Sequence, residues 1–273
     1  MPNYFAHLIF GAKVLRETPE ELSDPIRRER EAFNLGCLGP DPLYFYRPAL
    51  VTACRREAMR LHGESALPVF QRLAGAIRDG VPQSGSYAAG FLCHFALDAA
   101  CHGFIRSQAE AGRIAHLAME AELDRRLIEN RGLVSAGRVY LPPIEDEQVY
   151  TAAAAAYETA APAQLRRGYE AMRYYSRLLA QRYGTRGGWL ADKAIGLIPA
   201  CRELRGVILR REPAPESREC GDRILELFHS EVPAAAAHLR EFMASVSTGA
   251  PLSAWFDRDF NGRSGADCRK GKS

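Results

Sequence analysis

The stretch HFALDAACHGFIRSQAEAGRIAHLAME, residues 94–120, contains three of the seven histidines of this chain. Histidines and acids recur there at intervals of four, first at three positions and then at two: His94, Asp98 and His102, followed by His116 and Glu120. Side chains four residues apart lie on one face of an α-helix. The stretch therefore predicts two helices, each of which presents imidazole and carboxylate groups along one side.

Most of the remaining sequence also has the periodicity of helices. Apolar residues recur at intervals of three and four in segments rich in Ala, Leu, Arg and Glu: 49–61, 66–79, 86–109, 113–130, 147–183 and 219–245. Alternating Val, Ile and Thr, which would indicate strands, is nearly absent. Glycine and proline gather between these segments. The pattern predicts an all-α fold.

The length and composition fit one large domain. The chain has 273 residues, of which 47% are hydrophobic, so it can bury a sizeable core. We expect a single all-α domain over residues 1–256. The residues that follow, 257–273, are polar, small and basic from Asn261 onward. Such a composition predicts a disordered tail.

Several classes of protein are disfavoured by the composition. No charge-free run of eighteen apolar residues occurs, so we expect no transmembrane segment. The seven cysteines form no CxxC motif, which argues against a disulfide framework or a cysteine-rich zinc module. The net charge of +3 gives no strong signal for nucleic acid. The first residues do not resemble a secretory signal, which predicts a cytoplasmic protein.

The clustered histidines and acids predict a metal site. Imidazole nitrogen and carboxylate oxygen are ligands that zinc prefers. Further candidates precede residue 94 in the chain: His7, Asp41 and His62. The HExxH motif of zinc proteases is absent, because Phe95 and Leu117 stand where its glutamate would follow the histidine.

Two arrangements without zinc would also cluster histidines and acids. Histidines and acids can form a hydrogen-bonded ladder that specifies helix packing, and a pair of histidines can bind haem in a helical bundle. Neither explains why so many carboxylates accompany the histidines. Burial of those carboxylates without a cation would be costly. The pattern therefore favours a metal site.

The order of these residues resembles that of the zinc-dependent phospholipase C family. That family includes secreted bacterial phospholipases C and the catalytic domain of glycosylphosphatidylinositol-specific phospholipase D, and its fold is similar to that of the single-strand-specific zinc nucleases. The motifs cover roughly residues 2–130. The resemblance implies an all-α domain with a metal cleft among its helices.

The resemblance also implies up to three zinc ions and a division of their ligands. One ion would take the set Asp41, His62, His94 and Asp98. Asp98 would bridge to a second ion, which would also bind His7 and the amino-terminal residue, here Pro2 if Met1 is excised. The third would take His102, His116 and Glu120. Asp41 and Asp98 would be the catalytic carboxylates.

The implied activity is hydrolysis of a phosphodiester by metal-activated water, with a phospholipid or related phosphoester as substrate. The aromatic run LYFY at 43–46, with Phe91, Phe95 and Phe104, would line a lipid cleft or, as is more usual at such spacing, belong to the core. Peripheral contact with a membrane stays open. The alternatives are a zinc nuclease or other phosphoesterase, which would bind nucleic acid, and a catalytically silent metal-stabilised binding protein.

Overall fold

The computed structural model describes residues 4–112, 114–133, 138–181, 185–197 and 215–270. Over these residues the chain forms helices and no strand, as the sequence predicts. The helices are α1 (Tyr4–Glu17), α2 (Glu20–Arg28), α3 (Arg30–Gly36), α4 (Pro42–Phe45), α5 (Ala53–Gly63), α6 (Leu67–Arg78), α7 (Ser84–Glu110), α8 (His116–Glu129), α9 (Gln148–Ala154), α10 (Pro162–Ala180), α11 (Arg186–Leu197), α12 (Pro215–Thr248) and α13 (Gly265–Lys270).

The chain divides into two compact units, each built from three segments. The first unit takes in Met1–Ala6, Gly103–Pro142 and Met172–His229, as far as these are described. The second unit takes in His7–His102, Pro143–Ala171 and Ser230–Ser273, with the same restriction. The single domain over residues 1–256 stays a prediction.

Helices α3 and α7 of the second unit touch through their backbones. A Cβ atom added at Gly36 would lie 2.1 Å from the carbonyl oxygen of Tyr87, and one added at Gly90 would lie 2.1 Å from that of Phe33. Only glycine permits so close an approach. The contact fixes the turn after Gly36 against α7, one helical turn before His94.

Aromatic rings fill the core of the second unit. Phe70 packs edge-to-face against four other rings, with centroids 4.9–5.9 Å apart: Phe91, Phe95, Phe242 and Phe256. Leu43 and Phe45 are buried as well. The aromatic residues near Asp41 and on α7 therefore belong largely to the core, which is the more usual reading of their spacing.

Disorder is predicted for residues 257–273, whereas the structure shows residues 257–270 to be packed or turn-forming in part. Phe260 is fully buried and packs on Phe91 and Phe95, with ring centroids 6.0 and 5.1 Å away. The Asp259 carboxylate accepts the backbone N–H groups of Asn261 and Arg263. One aromatic anchor and one turn-forming acid thus order a segment whose composition is otherwise polar.

Helix α7 is the one described helix that is long and apolar enough to cross a membrane. Its best window has a mean hydropathy of 1.3, but 72% of that window is buried inside the protein. Burial among other helices accounts for its apolar character. It is thus weak evidence for a transmembrane segment.

Phe260→Ala should lower the free energy of unfolding by about 3–5 kcal/mol, because it empties a fully buried aromatic site. Urea denaturation measures the loss. Met59→Ala removes a side chain that is 58% exposed in the same unit, and should change the free energy by less than about 0.5 kcal/mol. Equal effects of the two substitutions would show that the segment after residue 257 contributes nothing to the core.

Candidate metal centre

Six of the predicted ligands belong to the second unit. His7 lies on α1, Asp41 immediately precedes α4, and His62 lies in the last turn of α5. The other three lie on α7, four residues apart: His94, Asp98 and His102. Helices α1, α5 and α7 thus bring together residues that are as many as 95 positions apart in the sequence.

The carboxylate of Asp98 lies at the centre of this cluster. Its Oδ1 atom is 3.3 Å from Nε2 of His7 and 3.4 Å from Nε2 of His102. Its Oδ2 atom is 3.2 Å from Nε2 of His94 and 3.8 Å from Nε2 of His62. Each oxygen therefore faces two imidazoles, which is the arrangement that a carboxylate shared between two ligand groups requires.

The imidazole of His94 is fixed by the backbone behind it. Its Nδ1 atom lies 3.2 Å from the carbonyl oxygen of Cys37, so Nδ1 carries the proton and donates it. Nε2 is then the ring nitrogen that faces Asp98, at 3.2 Å from its Oδ2 atom. This nitrogen is buried and makes no hydrogen bond. A carbonyl that orients an imidazole in this way is typical of metal-binding histidines.

His62 is oriented in the same manner. Its Nδ1 atom lies 2.7 Å from the carbonyl oxygen of Ala58, and its Nε2 atom is 3.6 Å from Oδ1 of Asp41. Burial lowers the pKa of His62 to about 4, and the neighbouring Asp98 carboxylate only partly offsets this. At neutral pH its Nε2 atom is therefore an unprotonated donor, which is the form that binds metal.

The Asp98 carboxyl is ionised in these surroundings. Burial favours its neutral form, but positive charge on His102 and His94, together with a hydrogen bond from His7, outweighs burial and holds the pKa of Asp98 well below its usual range. A buried carboxylate needs a compensating cation or hydrogen bonds. Metal ions among the surrounding nitrogens would meet that need.

The donor atoms fit zinc in number, type and distance. They form two groups in which every ligand atom lies within 4.8 Å of the others: His7, His94 and Asp98, and Asp41, His62 and His94. Ligands of one zinc ion lie about 2.0–2.2 Å from it, so their mutual distances are about 3–4 Å. The buried Nε2 atom of His94, which makes no hydrogen bond, is the atom that this fit explains.

The remaining predicted ligands are placed only in part. His116 and Glu120 lie one turn apart at the start of α8 in the first unit, with Nε2 and Oε1 2.9 Å apart. His102 belongs to the second unit. A third ion held by these three residues stays a prediction, and Pro2 lies outside the described residues.

Two residues that the sequence reading missed shape the site. Gly39 has φ +50, and a Cβ atom added there would lie 2.3 Å from Cδ2 of His94. Its carbonyl accepts a hydrogen bond from the Tyr157 hydroxyl, 2.8 Å away. Cys37 supplies the carbonyl for His94. The sequence predicts only a break between helices at the glycines of GCLGPDP, although the turn also forms one wall of the His94 site.

Asp124 is a third residue that the reading missed, and it lies in the first unit. Its buried carboxylate accepts the backbone N–H groups of Phe5 and Ala6, at 3.1 and 2.7 Å, and so caps the start of α1. Burial raises the pKa of Asp124 well above its ordinary value, although these two donors act in the opposite direction. The interval of four from Glu120 was the available signal.

Comparison with known proteins identifies one family. A family model described as zinc dependent phospholipase C matches residues 6–181. That range contains all the predicted ligands except Pro2. Neither the curated proteins nor the solved structures provided a match.

Gly39→Ala should displace His94 and remove zinc from the site. Gly80→Ala is the matched control, because Gly80 has φ +72 but nothing within 4 Å of an added Cβ atom. Both substitutions should cost about 1–2 kcal/mol from the left-handed backbone. We expect only Gly39→Ala to lower the zinc content, measured by inductively coupled plasma mass spectrometry. Full zinc content in Gly39→Ala would show that the turn does not position His94.

Proposed function

We propose that this chain, which belongs to the zinc-dependent phospholipase C family, is a zinc-dependent hydrolase that cleaves the phosphodiester bond of a phospholipid or a related phosphoester. The observation that carries the proposal is the buried Asp98 carboxylate with imidazole nitrogens facing both of its oxygens. A cluster that served only packing would leave fewer buried nitrogens without hydrogen bonds.

The ligands would divide between neighbouring ions. His7, His94 and Asp98 would form one group, and Asp41 and His62 would complete the other with the shared residues. Zinc bound there would stabilise negative charge on phosphoryl oxygens and lower the pKa of a coordinated water to about 7. Asp98 would help to hold the two groups at a fixed separation, since its Oδ1 atom faces His7 of one group and its Oδ2 atom faces His62 of the other.

Asp41 is the carboxylate best placed to accept a proton. Its side chain is 25% exposed, whereas that of Asp98 is 4% exposed, so water and substrate reach Asp41 more easily. It stands at the N-terminal end of α4, opposite Nε2 of His62. In the proposed mechanism Asp41 orients the attacking water and takes its proton, in addition to its role as a ligand.

The proposed substrate is a phospholipid because the family takes its name from that activity. The net charge of +3 offers little attraction for the polyanionic backbone of nucleic acid. Peripheral contact with a membrane follows from a lipid substrate. The cytoplasmic location, expected from the sequence, is part of the same proposal.

Metal analysis combined with two substrates tests this function. We expect the purified protein to contain zinc and to hydrolyse p-nitrophenylphosphorylcholine, with loss of activity on chelation and recovery on return of zinc. Single-stranded DNA serves as the alternative substrate. Cleavage of DNA alone would support a nuclease, and zinc without hydrolysis of either substrate would support a metal-stabilised binding protein.

Asp98→Asn should impair metal binding and activity together, because a neutral amide cannot replace the anionic carboxylate that the two groups of metal ligands share. We expect a fall in zinc content and a decrease in kcat/KM of at least about a hundredfold. Glu57→Gln is the control: Glu57 is also a buried carboxylate of the second unit, but it accepts the backbone N–H groups of Glu158 and Thr159. Retention of zinc and kcat/KM in Asp98→Asn would refute the shared-ligand role.

A further inference from the structure

Exposed apolar side chains are concentrated in one short stretch of the second unit. Leu50, Val51 and Met59 are 55%, 70% and 58% exposed, and no other large hydrophobic residue in the described part of that unit is comparably exposed. Single exposed apolar residues are common on soluble proteins, but a cluster indicates an interaction surface. Residues 47–59, which we name the basic-apolar patch, contain all three.

The turn at residues 47–51, which we call the tip of the patch, is held in a defined conformation. Arg47 has φ +52, and the backbone N–H of Leu50 donates to its carbonyl at 2.8 Å, which closes a tight turn. The guanidinium groups of Arg55 and Arg56 donate to the carbonyl oxygens of Pro48 and Val51, both at 3.1 Å. These hydrogen bonds hold the turn that exposes the apolar side chains of the tip to solvent.

The patch carries three arginine side chains that form no ion pair within the described part of the chain. Within the described residues, no carboxylate forms an ion pair with Arg47, Arg55 or Arg56. Arg60, one turn beyond Arg56 on α5, differs in this respect, since it pairs with Glu64 and Glu158 at 3.0 Å each. The guanidinium groups without an ion pair thus surround the apolar tip, while the charge farther along the helix is balanced.

The patch is connected directly to two ligands of the candidate metal centre. It begins just after α4, which Asp41 precedes, and it continues into α5, which carries His62 in its last turn. Thr52 caps the start of α5 by accepting the N–H of Arg55 at 3.1 Å. Ten residues of helix span about 15 Å, so the tip and His62 are separated by about that distance along α5.

We propose that the basic-apolar patch docks this protein on an anionic phospholipid surface. Leu50 and Val51 would enter the region between head groups and acyl chains, and the three arginines would contact lipid phosphates. Basic residues at an anionic membrane each strengthen binding about fivefold, and salt screens the effect. The choice of lipid as partner rests on the proposed function, because a phospholipid hydrolase must reach its substrate at a surface.

Vesicle co-sedimentation tests the proposal. The full chain should bind vesicles that contain phosphatidylserine and phosphatidylcholine more tightly than vesicles of phosphatidylcholine alone, and salt should weaken the difference. Binding should persist in excess chelator, since residues 47–59 include none of the predicted metal ligands. Equal binding to both vesicle types, or none, would overturn the proposal.

Paired substitutions locate the surface. Leu50→Ser with Val51→Ser, and separately Arg55→Gln with Arg56→Gln, should each weaken binding to anionic vesicles at least about tenfold. Arg55→Lys with Arg56→Lys keeps the charge and should retain most of the binding. The controls are Arg78→Gln, which removes an exposed charge from α6, and Leu178→Ser, which alters an apolar residue of α10 that is 42% exposed. Loss of binding in the Leu178→Ser variant, and not in the Leu50 pair, would assign docking to α10.

Two further measurements separate this proposal from the proposed function. Hydrolysis of soluble p-nitrophenylphosphorylcholine should be unchanged in the Leu50 and Val51 variant, whereas hydrolysis of vesicle lipid should fall. Vesicle binding without any hydrolysis would refute the proposed function but would still support membrane docking by the patch. Light scattering measures the oligomeric state of the protein. A dimer that these substitutions dissociate would show that the patch binds a second copy of the chain instead.

Discussion

The burial of one ionised carboxylate determines how the second unit is arranged. Asp98 lies on α7 with little access to water, so its charge must be met by groups that the fold delivers. Nitrogens from α1, α5 and two further turns of α7 lie within 3.2–3.8 Å of its oxygens. Removal of any of these helices from its position would leave a buried charge with too few partners.

Backbone groups set the orientation of the imidazole rings in this cluster. Contact between α3 and α7 at Gly36 and Gly90 places the following turn beside His94, where the Cys37 carbonyl sets the proton on Nδ1. Ala58 does the same for His62 from one turn earlier in its own helix. Both imidazoles therefore present Nε2 to the carboxylates. Orientation of ligands by main-chain carbonyls requires no extra side chains and leaves few signs in the sequence.

The contrast between ligand spacing along a helix and orientation by backbone groups explains which features could be predicted. The interval of four between His94, Asp98 and His102 fixes their common face wherever a helix forms, so the sequence was sufficient for that stripe. The roles of Gly39 and of the Cys37 carbonyl depend on which helix packs against α7, and local pattern holds no such information. Phe260 was misjudged for a related reason, since composition averages over a segment and one aromatic residue in a polar stretch can still anchor it.

The position of His102 follows from the same helical geometry. Four residues of helix rise about 6 Å, so the imidazoles one turn before and one turn after Asp98 can both reach its carboxylate. His94 takes Oδ2 and His102 takes Oδ1, which His102 shares with His7. An interval of five or six residues after Asp98 would have directed the last histidine to another face of α7. The interval of four therefore ties His102 to the carboxylate of Asp98, which it shares with His94 one turn earlier on the same helix.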